Sequence, residues 1–141
     1  MKKVVALTLT VLLFSCATKK VMDVNKPLYE ILTTQNDGGA NIRFYEMITE
    51  PKEIMMLLSD PNLKKKIKQE DIQNSNFVIL NMGEKPSGNY KIAIENVEET
   101  PTNIILTIKE GKPSPKVVDS SDAVYPYTII KINSKKPILI K

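Results

Sequence analysis

The chain has 141 residues, 42% of them hydrophobic, which suits one folded domain with a real core and excludes an intrinsically disordered protein. Its formal charge is +4, and removing Lys2 and Lys3 from the 20 basic residues leaves 18 against 16 acidic ones. So small an excess gives no support for nucleic-acid binding, and the basic run at 64–68 is typical of a solvated helix face.

The start of the chain has the pattern of an export signal. Lys2 and Lys3 precede an apolar stretch, residues 4–14, that is too short to span a bilayer as a mature helix. The end of this stretch and the two residues after it, Leu13-Phe14-Ser15-Cys16, resemble the bacterial lipobox. This resemblance implies cleavage before Cys16 and attachment of lipid to it. Since this is the one cysteine of the chain, no disulfide accounts for it. An ordinary signal peptide with an incidental cysteine is the alternative.

These features predict three segments. Residues 1–15 form a lipoprotein signal peptide, residues 16–27 hold the lipidated Cys16 and a flexible tether, and residues 28–141 form a single domain. Residues 17–20 lack an acidic tag for surface export. We therefore expect a protein anchored in the bacterial cell envelope and facing the periplasm.

The first half of the domain predicts two strands and a helical excursion. Residues 28–35 and 41–49 alternate apolar and polar side chains around the turn Asn36-Asp37-Gly38-Gly39, so we expect these two strands to pair. Pro51 and Pro61 are typical of first helical positions, which predicts short helices over 51–59 and 60–70. Met47, Met55 and Met56 are interpreted as core or helix-flank residues in preference to a soft binding surface.

The stretch 76–90 is expected to organise the fold. Residues 77–82 are apolar on both faces of an extended chain, which predicts a central strand. A loop bounded by Gly83 and Gly88 follows, and residues 90–95 alternate, so the pattern predicts a hairpin with a solvent-facing tip.

Three more extended segments complete the prediction. Residues 102–109 alternate strictly, residues 127–133 are apolar on both faces, and residues 138–140 form a terminal extended piece. Between them, residues 110–123 predict a long loop of the kind that is often functional.

Catalytic signals are absent from the sequence. The chain has no histidine, which removes the commonest general base, and it has no glycine-rich phosphate loop before a helix. Cys16 is assigned to the lipid. We expect no enzymatic activity, no cofactor and no metal.

Two families share motifs with the second half of the chain. The second half of the chain resembles the C-terminal domain of the PrcB family. The similar parts are residues 80–90, the alternating segments that follow, and Tyr125-Pro126-Tyr127 with the strand after it. That resemblance implies a non-catalytic accessory subunit of an envelope protease complex. The alternative is a chagasin-like protease inhibitor, because residues 85–90 are also similar to the Pro-Thr-Thr-Gly-Tyr loop of that family.

The sequence therefore predicts an α+β domain with an antiparallel β-sheet, one form of which is a sandwich, and a short helical excursion at about residues 51–70. Its partners are the membrane, through Cys16, and another envelope protein, with a protease as the candidate. The residues expected to bind that partner, with core or hairpin packing as their alternative role, are Gly83, Lys85, Pro86, Ser87, Gly88, Asn89, Tyr90, Tyr125, Pro126 and Tyr127.

Overall fold

A computed structural model describes residues 26–86, 89–111 and 122–141. Cys16 and the predicted leader and tether up to residue 25 lie outside these ranges. The described part forms seven strands and two short helices, so it is mostly β with few helical residues, which is consistent with the predicted α+β class. The elements are β1 (Tyr29–Gln35), β2 (Arg43–Ile48), α1 (Pro51–Leu57), α2 (Asp71–Asn74), β3 (Asn76–Met82), β4 (Lys91–Glu99), β5 (Ile104–Gly111), β6 (Tyr127–Ile132) and β7 (Ile138–Ile140).

The strands form two sheets. One has the order β1-β6-β3-β2 with antiparallel neighbours throughout, and the other has the order β4-β5-β7, in which β5 and β7 are parallel. The core between the sheets is made of Val78, Leu80, Met82, Ile92, Ile104, Leu106, Ile130, Ile132 and Ile138. The helical region covers the opposite face of the four-stranded sheet and forms a second core cluster with it. The buried sheet residues of this cluster are Leu32, Ile48, Phe77 and Ile129, and those of the helical region are Ile54, Leu63, Ile67 and Ile72.

The two predicted hairpins are wrong. β3 pairs with β2 and β6, whereas β4 pairs with β5 in the other sheet. β1 pairs with β6 and not with β2. The reason is burial: β3 and β6 are apolar on both faces and need cover from both sides, so they take the two central positions. β4 has one mainly exposed face and suits an outer sheet.

Two smaller expectations also differ. Residues 61–66 form hydrogen-bonded turns and no regular second helix. The side chain of Asp60 caps this segment by accepting the backbone N–H of Asn62 at 2.7 Å, but bonds from Leu63 and Lys66 to the carbonyl three residues back interrupt the helical pattern. The three methionines interpreted as core or helix-flank residues lie outside the core, with exposed fractions of 46% for Met47, 55% for Met55 and 73% for Met56. In the described residues, no helix is long and apolar enough to cross a membrane.

A buried charge cluster closes the end of the domain where β1 begins. Asp71 is fully buried and lies 3.3 Å from the ammonium of Lys131 and 3.2 Å from that of Lys26. Lys131 also lies 3.0 Å from Glu30. Burial alone would raise the pKa of Asp71, but the backbone N–H of Lys68 and the charge of Lys131 together lower it. We call this end the amino-terminal end.

Candidate functional site

Three connections meet at the opposite end of the sheets. The register pairs Gln35 with Tyr127, and Arg43 with Met82, so the connections after β1, after β3 and before β6 leave the four-stranded sheet on the same side. We call the described residues of these connections, 36–42, 83–86, 89–90 and 122–126, the loop end. It lies one strand length away from the amino-terminal end.

The two segments that the sequence singles out lie side by side there. Lys85 and Val124 exchange two backbone hydrogen bonds of 2.9 Å, from each N–H to the carbonyl of the other residue. The backbone N–H of Met82 donates to the carbonyl of Pro126 at 3.0 Å. The chain after β3 and the chain before β6 therefore form one continuous surface.

The turn after β1 closes over this surface. The backbone N–H of Tyr125 donates to the carboxylate of Asp37 at 2.9 Å, and Gly39 donates its N–H to the carbonyl of Tyr125 at 2.8 Å. A Cβ on Gly39 would lie 2.7 Å from that carbonyl oxygen and 2.2 Å from the side-chain oxygen of Asn81. Glycine is required at residue 39 because two other segments approach its backbone this closely.

Asn81 joins the turn to the sheet. Its side chain is 1% exposed and donates to the carbonyls of Ala40 and Ile42 at 2.9 and 2.6 Å. It also accepts the backbone N–H of Ala40 at 3.0 Å. Sequence reasoning missed this residue, although a carboxamide that directly follows an apolar run in a strand is a recognisable signal, since buried polar groups are usually hydrogen-bonded.

The predicted binding residues differ in how far solvent reaches them. Gly83 and Pro126 are buried, Lys85, Tyr90, Tyr125 and Tyr127 are half-buried, and Pro86 and Asn89 are exposed. Ser87 and Gly88 lie outside the described residues. Gly83 has φ +71°, and a Cβ there would lie 2.7 Å from the backbone nitrogen of Arg43, so this glycine shapes the strand exit.

A charged and aromatic group borders the loop end. Arg43 and Tyr45 donate hydrogen bonds of 2.7 and 2.6 Å to one carboxylate oxygen of Glu110, and the guanidinium lies 4.7 Å from the centre of the Tyr45 ring. Burial and the bond to Glu110 raise the pKa of Tyr45 to about 12. The ammonium of Lys85 lies 5.6 Å from the centre of the Tyr90 ring, a cation–π distance.

The described residues of the loop end line a depression that is shallow. A shallow depression between Tyr90, Pro126 and Tyr127 encloses no space for a water molecule. Among the residues that the structure describes, no three His, Cys, Asp or Glu side chains are placed to hold a metal ion. A flat amphipathic surface of this kind is suited to contact with another protein.

Comparison with known proteins identifies the central part of the domain. Residues 76–133 match the family model described as PrcB C-terminal, which runs from β3 through β6. The resemblance seen in the sequence is thereby confirmed. No curated protein and no solved structure matches the chain.

Proposed function

We propose, starting from the match of residues 76–133 to the PrcB C-terminal family model, that the protein is a lipid-anchored, non-catalytic subunit of an envelope protease complex. In this proposal Cys16 carries the lipid, the domain faces the periplasm, and the loop end binds the protease. The observation that carries the proposal is a set of hydrogen bonds that join Asp37, Gly39, Lys85 and residues 124–125 into one surface, all between backbone groups except the one accepted by the Asp37 carboxylate.

Preorganisation is the physical reason for choosing this surface. A loop that is already fixed in its bound conformation loses little conformational entropy on association. Val124 forms hydrogen bonds with both the backbone N–H and the carbonyl of Lys85, while Pro86 and Asn89 in the same loop are exposed. The exposed residues can therefore contact a partner from a rigid base.

The position of the anchor agrees with this arrangement. The chain enters β1 at the amino-terminal end, where Lys26 is bonded to buried Asp71. The predicted tether, within residues 16–27, joins Cys16 to this end of the domain. A domain held this way can keep its loop end accessible to a neighbouring envelope protein.

Affinity capture from envelope fractions tests the proposal. The full chain with a carboxy-terminal tag is compared with a variant carrying Pro86→Ala and Asn89→Ala. The matched control carries Asn96→Ala and Pro101→Ala, which are exposed residues of the same two types outside the loop end. We expect the loop variant to lose a captured protease that the wild type and the control retain.

The activity of the captured protease distinguishes the two roles that the sequence left open. An accessory subunit leaves that activity unchanged or raises it, whereas a chagasin-like inhibitor lowers it in proportion to the amount of protein added. Equal recovery of the same partner by all three proteins would remove the loop end from the proposal.

A further inference from the structure

The helical region presents exposed apolar side chains on its outer surface. Ile54, Leu63 and Ile67 are buried against the four-stranded sheet. Met55 and Met56 follow Ile54 in α1 and are exposed. In an α-helix, a residue two positions after a buried one points to the opposite side, so Met56 faces away from the sheet. Two large apolar side chains therefore point towards the surroundings of the domain.

Positive charge accompanies these methionines on the same surface. Residues 61–69 contain four exposed lysines and no acidic residue. One of them, Lys66, donates its ammonium to a backbone carbonyl of β1. Within the described ranges, the other three, Lys64, Lys65 and Lys68, form no ion pair. We call these three lysines, together with Met55 and Met56, the basic surface.

The carboxylates of the helical region leave this positive charge in excess. The two glutamates of the capping box lie at the start of α1, at the other end of that helix from the methionines. Asp60 is half-buried and accepts a backbone N–H, and Asp71 is buried and paired with two lysines. In residues 60–74, Glu70 is the one exposed carboxylate, against four exposed lysines. The charge of the basic surface is therefore complementary to an anionic partner.

The basic surface lies beside the point where the chain enters the domain. Lys68 donates its backbone N–H to the carboxylate of Asp71 at 2.9 Å, and the same carboxylate lies 3.2 Å from the ammonium of Lys26. Cys16, the proposed site of lipid attachment, is ten residues before Lys26 in the sequence. Even a fully extended chain of ten residues spans no more than about 36 Å. A lipid on Cys16 therefore keeps this end of the domain close to the bilayer.

We propose that the basic surface lies against an anionic phospholipid bilayer, so that the helical region is the membrane-facing layer of the domain. This proposal rests on the lipid anchor of the proposed function. The lysine ammonium groups contact lipid phosphates, and the two methionines enter the headgroup layer. Anionic lipid fits this surface because its charge is complementary and because the anchor brings it to this end of the domain. The strands then run along the bilayer, and the loop end faces sideways towards a neighbouring envelope protein.

Fluorescence of the full chain in vesicles tests this proposal. The protein is purified from the envelope in detergent and reconstituted with phosphatidylcholine, with or without added phosphatidylglycerol. An environment-sensitive thiol label is attached to a Met56→Cys variant. The matched control is Leu139→Cys, because Leu139 is an exposed apolar residue on the outer face of the second sheet, opposite the helical region. With phosphatidylglycerol, we expect the Met56→Cys label to emit at shorter wavelength and to be quenched by nitroxide lipids, and the Leu139→Cys label to do neither.

Lysine variants test whether charge holds this surface on the bilayer. In the Met56→Cys protein, Lys64→Gln with Lys65→Gln removes two charges of the basic surface. The matched control, Lys91→Gln with Lys109→Gln, removes two exposed lysines of the second sheet. We expect the first pair to remove most of the wavelength shift that phosphatidylglycerol causes, and the second pair to leave the shift unchanged. About 1 M salt, which shortens the screening length to about 3 Å, should also remove most of the shift.

The wild type separates failure of the anchor from failure of this contact. Because Cys16 is the one cysteine of the chain, a wild type with lipid on that sulfur takes up no thiol label and floats with both kinds of vesicle. A wild type that takes up the label would refute the lipid anchor and this proposal with it.

Three results from a wild type that floats unlabelled would leave the anchor in place and overturn the membrane contact alone. The first is the same spectrum from the Met56→Cys and Leu139→Cys labels. The second is a wavelength shift of the same size without phosphatidylglycerol. The third is a shift that persists in full after Lys64→Gln with Lys65→Gln.

Discussion

Replacement of Asn81 tests whether the loop end depends on one buried side chain. Asn81→Ala removes all three hydrogen bonds of the carboxamide, two donated to carbonyls and one accepted from an N–H. A neutral hydrogen bond contributes about 1 kcal/mol net. We therefore expect the free energy of unfolding to fall by about 2–3 kcal/mol, slightly less than the sum because water can reach the freed groups of Ala40 and Ile42.

Asn81→Asp is the sharper variant because it keeps the shape and changes only the donor. Its carboxylate can still accept the N–H of Ala40, but an acceptor oxygen then faces two carbonyls at 2.9 and 2.6 Å. This repulsion raises the pKa of the new carboxyl in the folded state above the unfolded value of about 3.9. The variant should therefore lose stability relative to Asn81→Ala as the pH rises above that value.

Urea denaturation followed by far-UV circular dichroism measures both effects. At neutral pH we expect Asn81→Asp to be at least as unstable as Asn81→Ala, and we expect the order to reverse near pH 3. The reasoning would be refuted if either variant lost less than about 0.5 kcal/mol. It would also be refuted by an aspartate variant that is more stable than the alanine variant at neutral pH.

Three further predictions concern other residues. Asp71→Asn should cost about 3 kcal/mol at neutral pH because Lys131 stays buried without this partner. The lowered pKa of Asp71 means that its contribution is present above the unfolded pKa and is lost as the pH falls through the folded pKa, so acid denaturation curves of the variant should be flatter. Tyr45→Phe removes the hydroxyl that bonds Glu110 and should eliminate the tyrosine that titrates near pH 12 in an absorbance titration. Gly39→Ala should lower the free energy of unfolding by about 2 kcal/mol through overpacking, as measured by thermal denaturation.

Local pattern was sufficient to place the strands. The apolar residues on both faces of β3 and β6 predicted buried strands, and both strands are central. The alternation in β5 predicted a half-buried strand, and Ile104 and Leu106 are its buried residues. These features depend on side-chain period alone, which a sequence contains in full.

Strand pairing was not predictable in the same way. The pattern of β4 fits any neighbouring strand that offers an apolar face, so its proximity along the chain led to the prediction that it pairs with β3. Because β3 must be buried on both faces, it pairs with β2 and β6, and β4 pairs with β5 in the other sheet. The exposed methionines show the same limit. Met55 and Met56 follow buried Ile54 in α1, but whether a second layer covers them depends on the arrangement of the whole domain.

The segments of the candidate site were predictable from the sequence, but the contacts between those segments were not. Gly, Pro and Tyr in residues 83–90 and 125–127 identified the two segments, because such residues mark turns with special backbone geometry. The contribution of residues 37–40 depends on their contacts with Asn81 and Tyr125, more than 40 residues away along the chain. No local pattern contains that information.

The positions of the two polar clusters allow stability and binding to be changed separately. Asp71 lies at the amino-terminal end and Asn81 next to the loop end, at opposite ends of the four-stranded sheet. Mutational effects at separated sites that share no partner are usually additive. Asp71→Asn should therefore lower stability and leave partner capture unchanged under conditions where the protein stays folded, whereas Asn81→Ala should lower both. A loss of capture in both variants at matched folded fractions would mean that the loop end is not the binding surface.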